Sequence, residues 1–306
     1  MPNLNEVLKE IQDAHKAGDT SPLDSVRRKY LAKVHEMTGR NVISYYSGWL
    51  NKRNAPDVEV NDKDKNSFMT CIHRLDRTLG LDLILHTPGG DLAATESLVD
   101  YLFSMFGNDI RCIVPQISMS AGTMIAMSCK EIMMGKQSNL GPIDPQFGGI
   151  ACQAVVEEFE EAKRDVKNNP SCAPLWQVII SRYHPTFIGS CKNAIAWSKS
   201  LAEDWLGRNM CLGQKGKVDS ILKEFSDHAQ SKSHSRHIPK DKCKSVGLKI
   251  VDMEDDNDLQ DAILTTHRAY MHTFGHSAAV KIVENHLGVA LIEFERLAPD
   301  EPPATA

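Results

Sequence analysis

The chain has 306 residues, and 35 lysines and arginines against 40 aspartates and glutamates give it a formal net charge of −5. Because this balance provides no overall positive field, the sequence disfavours charge-driven binding to nucleic acid or an anionic membrane. A chain this long can bury roughly 75% of its unfolded surface, so its core needs no disulfides. The eight cysteines form no Cys-x-x-Cys pair, which is typical of a reducing compartment, and we expect a cytoplasmic protein.

The first forty residues predict helices. They contain no apolar signal-peptide core, and no apolar stretch of the chain approaches the roughly 20 residues that a membrane-spanning helix needs. Residues 4–17 and 22–37 instead place apolar and charged residues at helical spacing, with Ser21 as the expected N-cap and Pro22 as the first helical residue. We therefore predict a helical arm over residues 1–40.

The middle of the chain alternates strand-sized apolar runs with helix-compatible segments. Strands are predicted at 81–86, 110–115 and 131–135, and helices at 92–106 and 120–130. Strands joined through helices pair in parallel, and the ligand site of such a sheet lies at the carboxyl ends of its strands. The sequence therefore predicts an α/β fold whose chemistry lies in the loops that follow the strands.

The main domain is predicted to extend from residue 41 to residue 252. It begins with a β-branched and aromatic strand over 41–50, which the polar loop 51–66 follows. Residues 253–306 are predicted to form a helical C-terminal extension. The later predicted helices cover residues 153–168, 189–207, 259–272 and 278–287.

The first loop of interest is His-Thr-Pro-Gly-Gly-Asp-Leu, residues 86–92, between a strand and a helix. The adjacent Gly89 and Gly90 let backbone N–H groups approach a ligand, and the following helix N-terminus favours an oxyanion or a phosphate. The loop lacks both the Gly-Lys-Ser/Thr ending of a P-loop and the spaced glycines of a dinucleotide site, so we expect no cofactor. By itself it is equally typical of an ordinary strand-to-helix turn.

The second loop is Gln-Ile-Ser-Met-Ser-Ala-Gly-Thr, residues 116–123. Ser120 would open a helix, where unpaired N–H groups stabilise negative charge, so it is the candidate nucleophile. Its alternative is a simple N-cap. Ser118, before the turn, and Ser128, late in the helix, are weaker candidates. Because neighbouring parallel strands end at one edge, we expect Ser120 to face the glycine amides as a nucleophile faces an oxyanion hole.

The series strand, TPGG, helix, strand, SAGT, helix, strand, LGPIDPQ resembles the ClpP/crotonase superfold. Within it the chain resembles the serine dehydrogenase proteinase family, distant relatives of the Clp protease proteolytic subunit and of signal peptide peptidase A. The resemblance covers roughly residues 80–150 and is weaker through 250. It implies a β-α-β superhelix with mostly parallel strands, Ser120 as nucleophile, and Gly89 and Gly90 as oxyanion donors.

The resemblance also implies a triad in the chain order Ser, Asp, His. Asp144 fits the acid, since the prolines on either side of it in Gly-Pro-Ile-Asp-Pro would hold its carboxylate in one direction. The alternative is an Asx turn before Pro145. The candidates for the base are His184, His228, His234 and His237.

The stretch 233–239 resembles the family segment that precedes its Gly-Leu strand, and the Ile-Pro after His237 slightly favours it over His234. A solvated loop is the alternative for this His-, Ser- and Lys-rich composition.

A Ser-Lys dyad, as in signal peptide peptidases, would draw on Lys163 or Lys167. Both lie in an acidic helical run, which is typical of a solvated face and not of the desolvated lysine that a dyad needs. The spacing of His267, His272 and His276 matches no common metal motif, and we expect no metal.

The sequence thus predicts a cytosolic serine peptidase, ATP-independent or regulated by a partner, that forms an acyl-enzyme at Ser120. Its substrate would be a peptide or protein, and the amphipathic helices suit a homo-oligomer. The alternatives are a crotonase-like enzyme that binds acyl-CoA thioesters and a catalytically inactive oligomeric scaffold that binds peptides, because fold analogy alone does not establish chemistry.

Overall fold

A computed structural model describes residues 3–52, 55–226 and 234–295. Its strands, in chain order, are β1 (Asn41–Ser47), β2 (Leu81–His86), β3 (Ile110–Val114), β4 (Ile117–Ser118), β5 (Glu131–Met134), β6 (Asn139–Leu140), β7 (Gln146–Phe147), β8 (Ile150–Ala151), β9 (Ile238–Pro239), β10 (Ile250–Asp252), β11 (Ala279–Asn285) and β12 (Ala290–Phe294).

Its α-helices are α1 (Leu4–Lys16), α2 (Pro22–Thr38), α3 (Lys63–Ile72), α4 (Leu92–Phe106), α5 (Ala121–Ser128), α6 (Cys152–Asn168), α7 (Ala173–Ile180), α8 (Phe187–Arg208), α9 (Lys215–Ser226), α10 (Lys240–Val246) and α11 (Asn257–His276). Among the described residues, none of these helices has the length and apolarity needed to cross a membrane.

Seven strands form the central sheet in the order β10-β5-β3-β2-β1-β11-β12. The pairs from β10 to β1 are parallel, whereas β11 and β12 add an antiparallel hairpin beside β1. Strand β2 shows that the sheet is covered on both faces, because all six of its residues are buried. A near-continuous apolar run of this kind is typical of a parallel strand between two layers of helices. The predicted mixed α/β fold with a mostly parallel sheet is confirmed.

The two faces of the sheet have separate cores. Leu83 of β2 packs in a cluster with apolar residues of α3, α4, α5, α8 and α9, and Ile84 packs in another cluster with those of α2 and α11. Successive residues of a strand point to opposite faces, which accounts for the division. The carboxyl edge of the parallel strands, where the candidate loops lie, is therefore held between two packed layers.

The C-terminal region differs from its prediction. Helix α11 lies where a helix was expected, but the predicted helix over 278–287 is wrong, because residues 279–285 form β11 and pair with β1. The charged residues Lys281 and Glu284 break the apolar run and gave it a helical pattern, yet both are buried in the strand. Strand β12 then pairs with β11, so part of the region predicted as a helical extension belongs to the central sheet.

Buried ion pairs explain how charged residues are accommodated at this edge. Arg27 Nε lies 2.6 Å from Glu284 Oε2, and both side chains are fully buried. Lys281 Nζ lies 2.9 Å from Asp64 Oδ1 in the same way. Since a buried charge is tolerated only with a partner, these pairs tie helices α2 and α3 to β11.

A second, three-stranded sheet crosses the carboxyl edge. Strand β4 pairs in parallel with β6, and β6 pairs antiparallel with β9. An isolated bridge between Thr87 and Ser118 connects the end of β2 to this sheet. Loops that are far apart in the chain are thereby brought side by side.

Candidate active site

Ser120 occupies a strained turn between β4 and α5. Its backbone has φ +51° and ψ −117°, and its side chain forms no capping hydrogen bond. A positive φ is costly for a residue with a Cβ, and serine nucleophiles of hydrolases are found on such sharp strand-to-helix turns. The N-cap alternative is therefore met in position only. The hydroxyl is left available for another partner.

The glycine turn after β2 lies directly against Ser120. Gly89 has φ +100°, and a Cβ placed on it would stand 2.7 Å from both Met119 O and Ser120 Cβ. A backbone hydrogen bond joins the two turns, because Met119 N, directly before the serine, donates to Thr87 O at 3.0 Å. The expected juxtaposition of the paired glycines and the serine is thus present, and it requires the absence of a side chain at Gly89.

The backbone donors of this crevice can be assigned one by one. Gly89 N donates to Thr87 Oγ1 at 3.2 Å, so this amide already has an acceptor. Val60 N donates to Gly89 O at 2.8 Å, and Asp91 N donates to Val60 O at 2.9 Å. Neither of these two hydrogen bonds uses the N–H of Gly90.

Ala121 begins α5, so its N–H has no acceptor within the helix. Gly90, Ser120 and Ala121 line one cavity, and their geometry can offer two N–H donors to an oxyanion.

Asp144, the candidate acid, and His234, one of the candidate bases, are in contact. Asp144 Oδ1 lies 2.9 Å from His234 Nδ1, with the carboxylate 2% and the imidazole 23% exposed. When the Nδ1–H donates to a carboxylate, the Nε2 lone pair is free to take a proton from a hydroxyl. The two residues are 90 positions apart in the chain, so their contact is made by the fold alone.

The small sheet explains how the chain segments that carry Ser120, Asp144 and His234 meet. Ser120 follows β4 by two residues, Asp144 follows β6 by four, and His234 precedes β9 by four. Because β6 lies between β4 and β9, the three loops leave one short platform. Two-residue strands leave no recognisable pattern in a sequence, so this arrangement could not be predicted from it.

The structure places His234 on Asp144, although the sequence slightly favours His237. The Ile-Pro on which that preference rested forms β9, in which Ile238 is buried and the preceding His237 is exposed. His184 is also exposed, with Nδ1 3.1 Å from Thr186 Oγ1. His228 lies outside the described residues.

The remaining sequence candidates have other surroundings. Lys163 is 64% exposed and pairs with Glu160 at 2.7 Å, and Lys167 is exposed on the same helix. His267 lies beside His86, with ring centroids 5.1 Å apart. Within the part of the chain that the structure describes, no three side chains of His, Cys, Asp or Glu converge in a way that could hold a metal.

A cavity of about 680 Å³ extends from Ser120 toward α8. Its apolar wall comprises Leu92, Met124, Ile143, Phe147 and Trp197. Asp144 lies between two residues that line it, Ile143 and Pro145. The contribution of α8 was not evident from the sequence, because the apolar residues on this helix are typical of ordinary core positions.

The structure is that of a mixed α/β protein with a mostly parallel sheet, in which paired glycines lie against a serine on a positive-φ turn. Residues 57–172 match the sequence model of a family described as ClpP-like SDH-type serine proteinases. The resemblance to the serine dehydrogenase proteinase family is confirmed by this match. The matched segment includes Ser120 and Asp144 and ends before His234.

Two proteins of Methanocaldococcus jannaschii are similar to this chain. "Uncharacterized protein MJ0137" is 33% identical over 103 residues, which cover 34% of this chain and 36% of that protein. "Uncharacterized protein MJ1495" is 32% identical over 97 residues, which cover 32% of this chain and 33% of that protein. The similarity thus spans about a third of the length of each relative.

Proposed function

We propose that the protein is a serine peptidase that forms an acyl-enzyme at Ser120. The observation that carries the proposal is the contact between Asp144 and His234, whose loops leave the same end of the small sheet as Ser120, a serine whose hydroxyl caps no helix. A buried carboxylate on the imidazole fixes the tautomer that a general base needs. The match to a serine proteinase family supports the same chemistry.

In the proposed reaction, His234 Nε2 removes the proton of Ser120 as its Oγ attacks the acyl carbonyl. The N–H groups of Gly90 and Ala121 stabilise the resulting oxyanion, and the imidazolium gives its proton to the departing amine. Water then attacks the ester with the same histidine as base, releases the acid and restores the serine. Asp144 holds the imidazole in place and stabilises the imidazolium.

The proposed substrate is a peptide or protein segment, the proposed compartment is the cytosol, and the proposed assembly is a homo-oligomer. The mostly apolar cavity next to the serine supports a chain segment with an apolar side chain near the scissile bond. A crotonase-like enzyme for acyl-CoA thioesters would use the N–H donors without the serine hydroxyl. Ser120→Ala separates the two, because it abolishes peptidase turnover and spares crotonase-like chemistry.

The test is labelling with a fluorophosphonate, followed by mass spectrometry of the modified peptide. We expect an adduct on Ser120 alone, loss of the adduct in Ser120→Ala, and native labelling in Ser128→Ala, which removes a buried hydroxyl at the end of the same helix. We also expect His234→Ala to lower the labelling rate at least about a hundredfold and His237→Ala to leave it unchanged. A folded protein without an adduct, or with one on another serine, would contradict the proposal.

A further inference from the structure

A buried glutamate forms an ion pair with the segment that carries His234. Glu224 belongs to α9, its side chain is 5% exposed, and each of its carboxylate oxygens faces one cation. Arg236 Nη2 lies 3.2 Å from Oε1, and Lys242 Nζ lies 2.9 Å from Oε2. Arg236 is two residues from His234, whereas Lys242 is on α10, on the far side of β9 in the chain. The carboxylate therefore holds the segment of the proposed base from one side.

The adjacent residue of α9 holds the segment of the acid. Ile143 N donates to Phe225 O at 2.9 Å, and Ile143 O accepts from Ser198 Oγ of α8 at 2.9 Å. Both backbone groups of the residue before Asp144 are thus fixed. Glu224 and Phe225 are consecutive, so one helical turn anchors the loops of both members of the pair.

We propose that Glu224 is a positioning residue for His234, an inference that rests on the peptidase chemistry proposed above. Its carboxylate sets the distance between the base loop and α9 through Arg236, and α9 sets the position of Asp144 through Ile143. The 2.9 Å contact between acid and base depends on both links. The ion pairs of Glu224 among the described residues are with Arg236 and Lys242, so it acts on His234 through the loop.

The alternative is that Glu224 only stabilises the fold. The two cations on one carboxylate separate these roles. A structural role would make Arg236 and Lys242 equivalent, since each supplies one ion pair to the same group. A positioning role makes them different, since only Arg236 lies in the loop that carries His234.

The first experiment compares fluorophosphonate labelling rates of the full chain with Glu224→Gln, Arg236→Gln and Lys242→Gln. We expect the first two to lower the rate about tenfold to a hundredfold, which is the effect of misplacing a catalytic group by less than an ångström or so. We expect the double variant Glu224→Gln/Arg236→Gln to label no more slowly than the slower of the two single variants, because both substitutions remove the same ion pair. Lys242→Gln, the matched control, should label within about twofold of the native chain.

The second experiment is independent of activity. The imidazole resonances of His234 are followed by NMR in Ser120→Ala, with assignment by comparison with His234→Gln. We expect Asp144→Asn to shift these resonances strongly when Glu224 is present. The shift should be weak in Glu224→Gln, because the contact between Asp144 and His234 is then already loosened. Circular dichroism and urea unfolding establish that each variant is folded, and if Glu224→Gln does not fold, Arg236→Gln carries the same comparison.

The outcomes separate this inference from the proposed function. If no variant is labelled but the NMR coupling disappears with Glu224→Gln, the peptidase proposal fails and the positioning role stands. If the native chain is labelled and Glu224→Gln labels at the native rate with its NMR coupling intact, the positioning role is wrong. Equal losses in Arg236→Gln and Lys242→Gln would also overturn it.

Discussion

Replacing Gly89 by alanine perturbs the candidate site without replacing a side chain of the proposed triad. The new Cβ would lie 2.7 Å from Met119 O and Ser120 Cβ, about 0.7 Å inside the 3.4 Å at which ordinary contact begins. Because neither neighbour is the end of a flexible side chain, the turn itself must move. The backbone φ of +100° adds strain of about 1–3 kcal/mol for a residue with a Cβ.

A shift of this size bears directly on catalysis. Oxyanion donors work at about 2.7–3.1 Å from the oxygen that they stabilise, and misplacing a catalytic group by about 1 Å costs about a hundredfold in rate. We therefore expect Gly89→Ala to lower the rate of fluorophosphonate labelling by about tenfold to a hundredfold. The assay is labelling at fixed probe concentration, with urea unfolding of the same samples.

Gly39→Ala is the matched control for backbone strain. Gly39 also has a positive φ, +65°, but a Cβ on it would meet no atom within 4 Å. We expect a loss of about 1 kcal/mol in unfolding free energy, since strain alone remains, and labelling at the native rate. Native labelling of Gly89→Ala, or equal behaviour of the two variants, would refute the reasoning about the crevice.

Three further predictions concern stability and the base. Burial lowers the pKa of His86 from 6.5 to about 4, so as the pH falls the unfolded chain takes up a proton on this residue before the folded chain does. We therefore expect urea unfolding to show that His86 contributes a loss of about 3 kcal/mol in unfolding free energy between pH 6.5 and pH 4. Arg27→Met removes the fully buried ion-pair partner of Glu284 and leaves it the partly exposed Arg28, and it should lower the unfolding free energy by about 1.5–3 kcal/mol. Lys163→Met and Lys167→Met should be labelled at the native rate, because both lysines are exposed.

Each of these has its own control. His86→Gln should unfold with a shallower pH dependence than the native chain, and an unchanged slope would contradict the burial of a neutral ring. Lys29→Met removes a surface ion pair and should lose less than about 1 kcal/mol, so an equal loss in Arg27→Met would be unexpected. Labelling that disappears in Lys163→Met would favour the Ser-Lys dyad.

Much of the parallel half of the fold could be predicted because its pattern is local. The strand at 81–86 and the helix at 92–106 lie where the sequence predicts them. A near-continuous apolar run followed by two glycines and a helical repeat has few alternative structures. The antiparallel edge could not be predicted in this way, because β11 contains charges that only distant partners, such as Arg27, make tolerable in a buried strand.

In the candidate site, too, the residues fixed by local sequence could be predicted and those fixed by distant contacts could not. Ser120 and the glycine turn follow strands of the main sheet, so the rule for parallel strands predicts that they meet. The position of His234 depends on two-residue strands and on the ion pair of Arg236 with Glu224, which are contacts between distant segments. The choice between His234 and His237 therefore had no reliable local signal, and Gly89 could be distinguished from Gly90 as a donor only through the hydrogen bond to Thr87.

The most direct test of the proposed mechanism is a crystal structure of the fluorophosphonate-treated protein. We predict a phosphonate on Ser120 Oγ, with its phosphoryl oxygen within about 2.7–3.1 Å of the N–H nitrogens of Gly90 and Ala121, and His234 Nε2 within hydrogen-bonding distance of the modified serine. An adduct whose oxygen points away from both amides, or an imidazole that has left Asp144 and faces solvent, would contradict it.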